Sequence, residues 1–154
     1  MEQDLTMIIF IGIPASGKTT FYHQHFSEDY VHINLDTLHT RNKERLALEA
    51  AFTGGKCIVI DNTNPTAEER AKYIKPAKMH QYRVEGYFFQ SKVSDCIERN
   101  EKRKGKAKVP NIAIAATSNR LEMPSYEEGF DALFFVHMED GRMVIENWED
   151  GYEV

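Results

Sequence analysis

The chain has 154 residues, 42% of them apolar and 28% charged, with a formal net charge of −5. That length holds one domain with a real core and is too short for two ordinary ones, and the composition is that of a soluble globular protein rather than a disordered one. No apolar run reaches bilayer-spanning length, and Met1-Glu2-Gln3-Asp4 lacks the basic start of a secretory signal, so the expectation is one domain over residues 1–154, no membrane and a cytoplasmic compartment.

Met7–Ile11 is an unbroken apolar run, the pattern of a strand buried on both faces. Lys18 to Phe26 reads as a helix that starts at a glycine-rich loop. Tyr30–Leu35 is a second short strand ending at Asp36, and Thr37 to Phe52 a helix stopped by Gly54-Gly55. Cys57–Ile60 is a third strand, bounded by Asp61-Asn62. Thr66 to His80 is a helix with Pro65 before it and Glu68-Glu69 in its first turn; Pro76 is expected to kink or end it. Val84–Phe89 is a fourth strand and Val93 to Lys104 a helix closed by Gly105. Asn111 to Leu121 is a further helix and Ala132–His137 a fifth strand. Arg142–Trp148 is expected to return antiparallel through the turn Glu139-Asp140-Gly141. Cys57 and Cys96, the two cysteines, lie far apart and read as reduced, buried thiols. The six histidines show no metal-type spacing, so no metal is assigned to them.

Charge is unevenly spread. Residues 122–154 carry ten acids against Arg142 alone, whereas residues 1–121 carry 18 bases against 14 acids, a net of +4. The acidic balance of the whole therefore says little about a substrate, since the motif-bearing part is mildly basic. Its densest stretch, Arg99 to Lys108, holds six bases against Glu101.

Residues 12–19, Gly-Ile-Pro-Ala-Ser-Gly-Lys-Thr, match G-x-x-x-x-G-K-[ST] between a buried strand and a helix, the context that the phosphate-loop motif requires. Gly12 and Gly17 allow a tight turn that aims backbone N–H groups at phosphates, and the helix adds the positive end of its dipole. Pro14, Ala15, Ser16 and Thr20 complete the loop and its exit. Lys18 places a point charge on the β- and γ-phosphates of ATP, and Thr19 offers a hydroxyl to Mg²⁺. Alternating strands and helices imply right-handed crossovers. The expected fold is thus α/β: a P-loop NTPase three-layer sandwich with a mostly parallel five-stranded sheet, a helical lid over about residues 99–110 and a C-terminal antiparallel edge strand.

The loop does not separate kinases, GTPases and motor ATPases. No N-K-x-D guanine signature is present, and no glutamate follows Asp61 to activate water. Transfer to a hydroxyl acceptor remains, and it needs a group to receive a proton. Asp36, at the carboxyl end of the second strand, is the candidate base; a cap for the helix at Thr37 is the alternative. Asp61 is a candidate for the Mg²⁺ shell, with a structural turn as its alternative. Beyond Val93, Cys96 and Ile97 the helix over Val93 to Lys104 turns wholly polar, and its arginines read as a lid or as a solvated helix end.

These motifs resemble the 5′-polynucleotide kinase branch of P-loop kinases, the zeta-toxin and AAA_33-type group. The resemblance runs from about Ile8 to Val136 and rests on residues 12–20, Asn34-Leu35-Asp36, Asp61-Asn62-Thr63-Asn64-Pro65 with Arg70, Arg99-Asn100-Glu101-Lys102-Arg103 with Val109-Pro110, and Glu128-Gly129-Phe130-Asp131. It implies that Asp36 is the base, that Arg99 and Arg103 are lid arginines, and that adenine is contacted near Val109 and Pro110. Several members carry arginine three residues after the catalytic aspartate, where it grips the acceptor; here His39 stands there, with Arg41 two further on. His39, Arg41, Thr63, Asn64 and Arg70 are therefore the candidate acceptor contacts. The resemblance favours the 5′-hydroxyl end of DNA or RNA as acceptor; a nucleoside, sugar or antibiotic kinase and an accessory ATP-binding module are the alternatives.

Overall fold

The computed structural model describes residues 5–26, 29–105 and 108–149, the side chains of Asp36 and Thr37 excepted. Strand β1 (Thr6–Ile11) is buried in all but its first residue. It lies between β3 (Ile58–Ile60) and β4 (Arg83–Phe89), so Met7 pairs with Ile58 on one side and Val84 on the other. A strand covered on both edges and both faces wants a continuous apolar run, which is what Met7–Ile11 supplies. The sheet order is β2 (Val31–Ile33), β3, β1, β4, β5 (Ala132–Glu139), β6 (Arg142–Asn147). The first five strands run parallel, as expected, and β6 returns antiparallel to make a sixth.

Side-chain alternation along β1 splits the core. Met7, Ile9 and Ile11 pack with Ala51 of α3 (Arg41–Thr53) and with Tyr73, Ile74 and Ala77 of α4 (Ala67–Met79). Ile8 and Phe10 face Phe21 and Tyr22 of α1 (Lys18–His25), where Phe10, Phe21 and Phe89 meet edge to face at centroid separations of 5.1–5.8 Å. Each such buried side chain contributes about 1.5–3 kcal/mol, so one strand holds both outer layers. A smaller cluster of Ile13, Ala15, Cys96 and Ile114 seats α5 (Val93–Glu101) and α6 (Asn111–Arg120) against the glycine loop. Cys96 is buried and Cys57 half-buried, and neither is in a disulfide.

The second strand, expected over Tyr30–Leu35, is shorter, Val31–Ile33, and several other element ends shift by a residue or two; three further differences matter more. The expected helix over 37–52 is two: α2 (Leu35–Leu38) begins earlier, and α3 starts anew at Arg41. The break is His39, left-handed at φ 69°, followed by an extended Thr40 whose hydroxyl accepts from Lys43 N–H at 3.1 Å. A threonine cap restarts the helix and satisfies a donor that would otherwise be orphaned. Secondly, α4 runs through Pro76 to Met79, because one missing N–H so near the C-terminus leaves a last turn that His80 N–H closes onto the Pro76 carbonyl. Thirdly, α5 stops at Glu101, so Arg103 lies in the segment that follows rather than on a helix.

Candidate active site

The glycine loop leaves β1 at its carboxyl edge with two left-handed residues, Ala15 at φ 66° and Gly17 at φ 100°. At Gly17 a side chain would be strained and its Cβ would meet Met143 at 2.4 Å; at Gly12 it would meet the Ser16 hydroxyl at 2.7 Å. Neighbouring elements hold the loop from every side. Gly12 N–H donates to the Thr63 carbonyl, Ile13 N–H to the buried Ser91 hydroxyl, and Arg99 to the Ala15 carbonyl at 2.7 Å. Lys18 is 8% exposed, with its ammonium donating to the carbonyls of Gly12 and Ile13 and to the Ser16 hydroxyl at 2.9–3.3 Å. The cation therefore sits at the mouth of the loop, in a cradle of the kind that binds phosphate.

At the floor, Thr19 Oγ1 donates to Asp61 Oδ2 at 2.8 Å. The same oxygen accepts from Asn34 Nδ2 and lies 2.7 Å from His32 Nε2. Burial would raise the Asp61 carboxyl, but the bonds from His32 and Thr19 and the nearby Lys18 charge outweigh it and hold the group below the usual carboxylate range. His32 is itself fixed by stacking on Tyr22, ring centroids 3.8 Å apart. Among the described residues no group of three or more His, Cys, Asp or Glu could cage a metal. One hydroxyl and one carboxylate beside a phosphate cradle do suit Mg²⁺, which takes few protein ligands and keeps its other positions for water and phosphate oxygens.

Above this floor lies a cavity of about 300 Å³, lined by Lys18, Thr19 and Asp61 and by Leu35, Arg41, Asn62, Tyr73, Arg103 and Arg120. The cavity brings together candidates that the sequence scatters: the loop, Asp61, Thr63, Asn64, Arg41, Arg103 and Val109. Asp36 lies on α2, one residue after the cavity-lining Leu35, and its side chain falls outside the described residues. It is inside that helix, so the alternative reading, a cap for a helix beginning at Thr37, does not hold. Thr63 and Asn64 brace the loop, the latter donating to the Phe10 carbonyl at 2.7 Å.

Other candidates are placed differently. Arg70, expected among the acceptor contacts, is wholly buried: it pairs bidentately with Glu128 at 2.7 and 3.1 Å and donates to the carbonyls of Asn64 and Glu122. Its donors are spent on the protein, which makes it a brace. His39 and Thr20 are exposed, and Pro110 is the exposed residue before α6. Arg99 and Arg103 part company. Arg103 lines the main cavity, whereas Arg99 faces a narrow cleft behind the loop beside Ser16, Gln90 and His137. Val109 borders the main cavity, on Arg103's side.

Several site residues escaped the sequence reading. His32, and the contact of the motif residue Asn34 with Asp61, came into view only once β2 lay beside β3. Buried Asn100, at the end of α5, exchanges bonds with the backbone N–H and carbonyl of Val109, just before α6. The sequence reading gives Glu44 and Tyr73 no role in the site; the i,i+3 spacing of Arg41 and Glu44 was the available signal.

The parallel sheet, the left-handed glycine loop and the lysine that opens α1 define a protein of the P-loop nucleotide-binding class. More closely, the chain belongs to the AAA domain family, AAA_33, which it matches over residues 7–49 and 40–124. It is 31% identical over 156 residues to the bifunctional polynucleotide phosphatase/kinase of Schizosaccharomyces pombe, an alignment covering 96% of this chain and 37% of that protein. The chain thus spans about a third of the length of the curated relatives it matches. In structure it is similar to Chaetomium thermophilum Kti12, solved in complex with ADP-AlF3, with a TM-score of 0.69 at 20% identity over 87% of this chain and 90% of that one. It is similar also to a chain of the PezAT toxin-antitoxin system of Streptococcus pneumoniae, with a TM-score of 0.67 at 16% identity over 97% and 76%. Among the described residues no helix is long and apolar enough to cross a membrane.

Proposed function

We propose that this domain is an ATP- and Mg²⁺-dependent phosphotransferase that moves the γ-phosphate to a hydroxyl, the 5′-OH end of DNA or RNA being the acceptor. The observation that carries the reading is one cavity lined both by Lys18, Thr19 and Asp61 and by Arg41, Tyr73 and Arg103. A nucleotide switch needs no such further set of cations and hydroxyl; a bisubstrate enzyme does. The polynucleotide acceptor is supported by the likeness to the phosphatase/kinase of Schizosaccharomyces pombe and by the cations Arg41, Lys72, Arg103 and Arg120 on the cavity's edge.

The residues divide the work. Loop N–H groups and Lys18 bind and orient the phosphates. Thr19 and Asp61 would hold Mg²⁺, which when bound neutralises charge on phosphate oxygens. The Asp36 carboxylate takes the proton of the acceptor hydroxyl as its oxygen bonds to phosphorus and the bond to the leaving diphosphate breaks; in a loose transition state the proton leaves late, so an ordinary carboxylate suffices. Arg103, a planar fork of donors, follows the charge that spreads over the transferring group.

Label transfer from γ-³²P-ATP tests this, with 5′-OH oligonucleotides run beside a panel of nucleosides, sugars and antibiotics. Labelled oligonucleotide is the expected product. Label appearing only on a panel member would replace the nucleic-acid acceptor with a small one, and ATP binding without transfer to anything would leave a binding module.

A further inference from the structure

Glu44 lies on α3, 6% exposed, and the phosphotransfer reading makes no use of it. Burying a carboxylate costs several kcal/mol unless partners compensate it, and here they come from three elements. Oε1 accepts from Arg41 Nη1 at 3.1 Å and from the Tyr73 hydroxyl at 2.9 Å; Oε2 accepts from Asn62 Nδ2 at 3.0 Å. Arg41 Nη1 and Asn62 Nδ2 also reach the Tyr73 oxygen, at 3.1 and 3.2 Å. On its far side Asn62 Oδ1 accepts the N–H of Leu35 at 3.0 Å, the first residue of the helix that bears Asp36.

Arg41, Asn62, Tyr73 and Leu35 all line the cavity. The Arg41 side chain is 62% exposed and the Glu44 side chain 8%. A long, solvated guanidinium left to itself samples many rotamers, whereas one bonded to an immobile carboxylate keeps a single aim. Burial and the Glu44 charge push the Tyr73 hydroxyl up to about 12, so it stays a proton donor throughout the neutral range.

We propose that Glu44 is a positioning residue for the acceptor: its carboxylate holds Arg41, Tyr73 and Asn62 as one wall of the cavity and, through Asn62, sets the start of α2. The proposal rests on the phosphotransfer reading above. It differs from a merely satisfied core carboxylate in one respect. Loosening the network weakens acceptor binding and leaves the ATP side, built by other elements, unmoved.

The test is a swap of hydrogen-bond sense. Glu44→Gln keeps the shape but turns an amide NH₂ toward Asn62 Nδ2, donor against donor. Adding Asn62→Asp restores the pair in reverse, with the new carboxylate still accepting Leu35 N–H and the net charge unchanged. Acceptor KM, ATP KM and Tm are measured for both, with a 5′-OH oligonucleotide as the acceptor probe. The single variant is expected to raise acceptor KM about tenfold or more, the scale of one conflicting buried donor, with ATP KM unchanged within about twofold, and the double variant to recover most of the loss. Should Glu44→Gln fold poorly, Tyr73→Phe decides, with a smaller rise in acceptor KM expected. An unmoved acceptor KM, an equal rise in both KM values, or a double variant no better than the single overturns the proposal. Wild-type protein that labels no acceptor overturns the phosphotransfer reading itself, and this proposal with it.

Discussion

Thr19 and Asp61, 42 positions apart, meet at 2.8 Å where α1 begins and β3 ends. Parallel pairing of β1 with β3 puts the carboxyl edges of both strands side by side, so the first helical hydroxyl after the loop falls beside the first residue after β3. Asp61 is 3% exposed and keeps its charge because His32, Asn34 and Thr19 bond to it and Lys18 is near.

That environment predicts a pH dependence. Because the folded carboxyl titrates below its ordinary value of 3.8, Asp61 contributes stability that is present above that value and is lost as pH falls through the folded one. Unfolding followed from pH 7 to pH 2 should show a steep acid loss that is shallower in Asp61→Asn. The same variant is expected to need far more Mg²⁺ for half-maximal transfer, read from a metal titration.

Lys18→Ala removes the point charge from the phosphate cradle. ATP-dependent transfer should fall by at least about 10²-fold, and equilibrium binding of a non-hydrolysable ATP analogue should weaken with it. Wild-type affinity in this variant would show that the loop is not the nucleotide site.

Asp36→Asn tests the proposed base. Transfer is expected to drop by about 10²-fold or more, the usual scale for a lost general base, with ATP affinity within a few-fold of wild type. Near wild-type turnover would leave Asp36 as an ordinary residue of α2.

Arg103 lines the cavity from the segment after α5. Arg103→Ala should slow phosphoryl transfer far more than it weakens ATP binding, and Arg103→Lys should recover only part of the rate, because lysine keeps the charge without the planar fork. Measuring kcat and ATP affinity in both separates a transition-state contact from a solvated cation, for which both changes stay below about 0.5 kcal/mol.

Arg70→Ala addresses stability rather than chemistry. It strands the Glu128 carboxylate and the carbonyls of Asn64 and Glu122, and breaking a buried pair in this way costs about 3–5 kcal/mol. A Tm lowered by several degrees is the expected reading, together with a weakened loop brace, since Asn64 also ties to β1. An unchanged Tm would return Arg70 to the list of ligand contacts.

The features legible in the chain before folding are local in their physics. The phosphate loop is a short-range constraint, two glycines and a lysine between a buried strand and a helix, and so it was legible in one stretch of residues. The parallel sheet followed from unbroken apolar runs alternating with helical segments, and the returning β6 from the Glu139-Asp140-Gly141 turn. What each polar side chain faces was set by packing across the fold, because periodicity names a buried face without naming its neighbour. That packing turned Arg70 inward onto Glu128, 58 positions away, and put Arg99 on a different cleft from the cavity that Arg103 lines. It also gathered Arg41, Asn62 and Tyr73 around the Glu44 carboxylate. A buried charge persists only where distant partners satisfy it, and which partners arrive is set by how strands and helices stack, a relationship that no local pattern records.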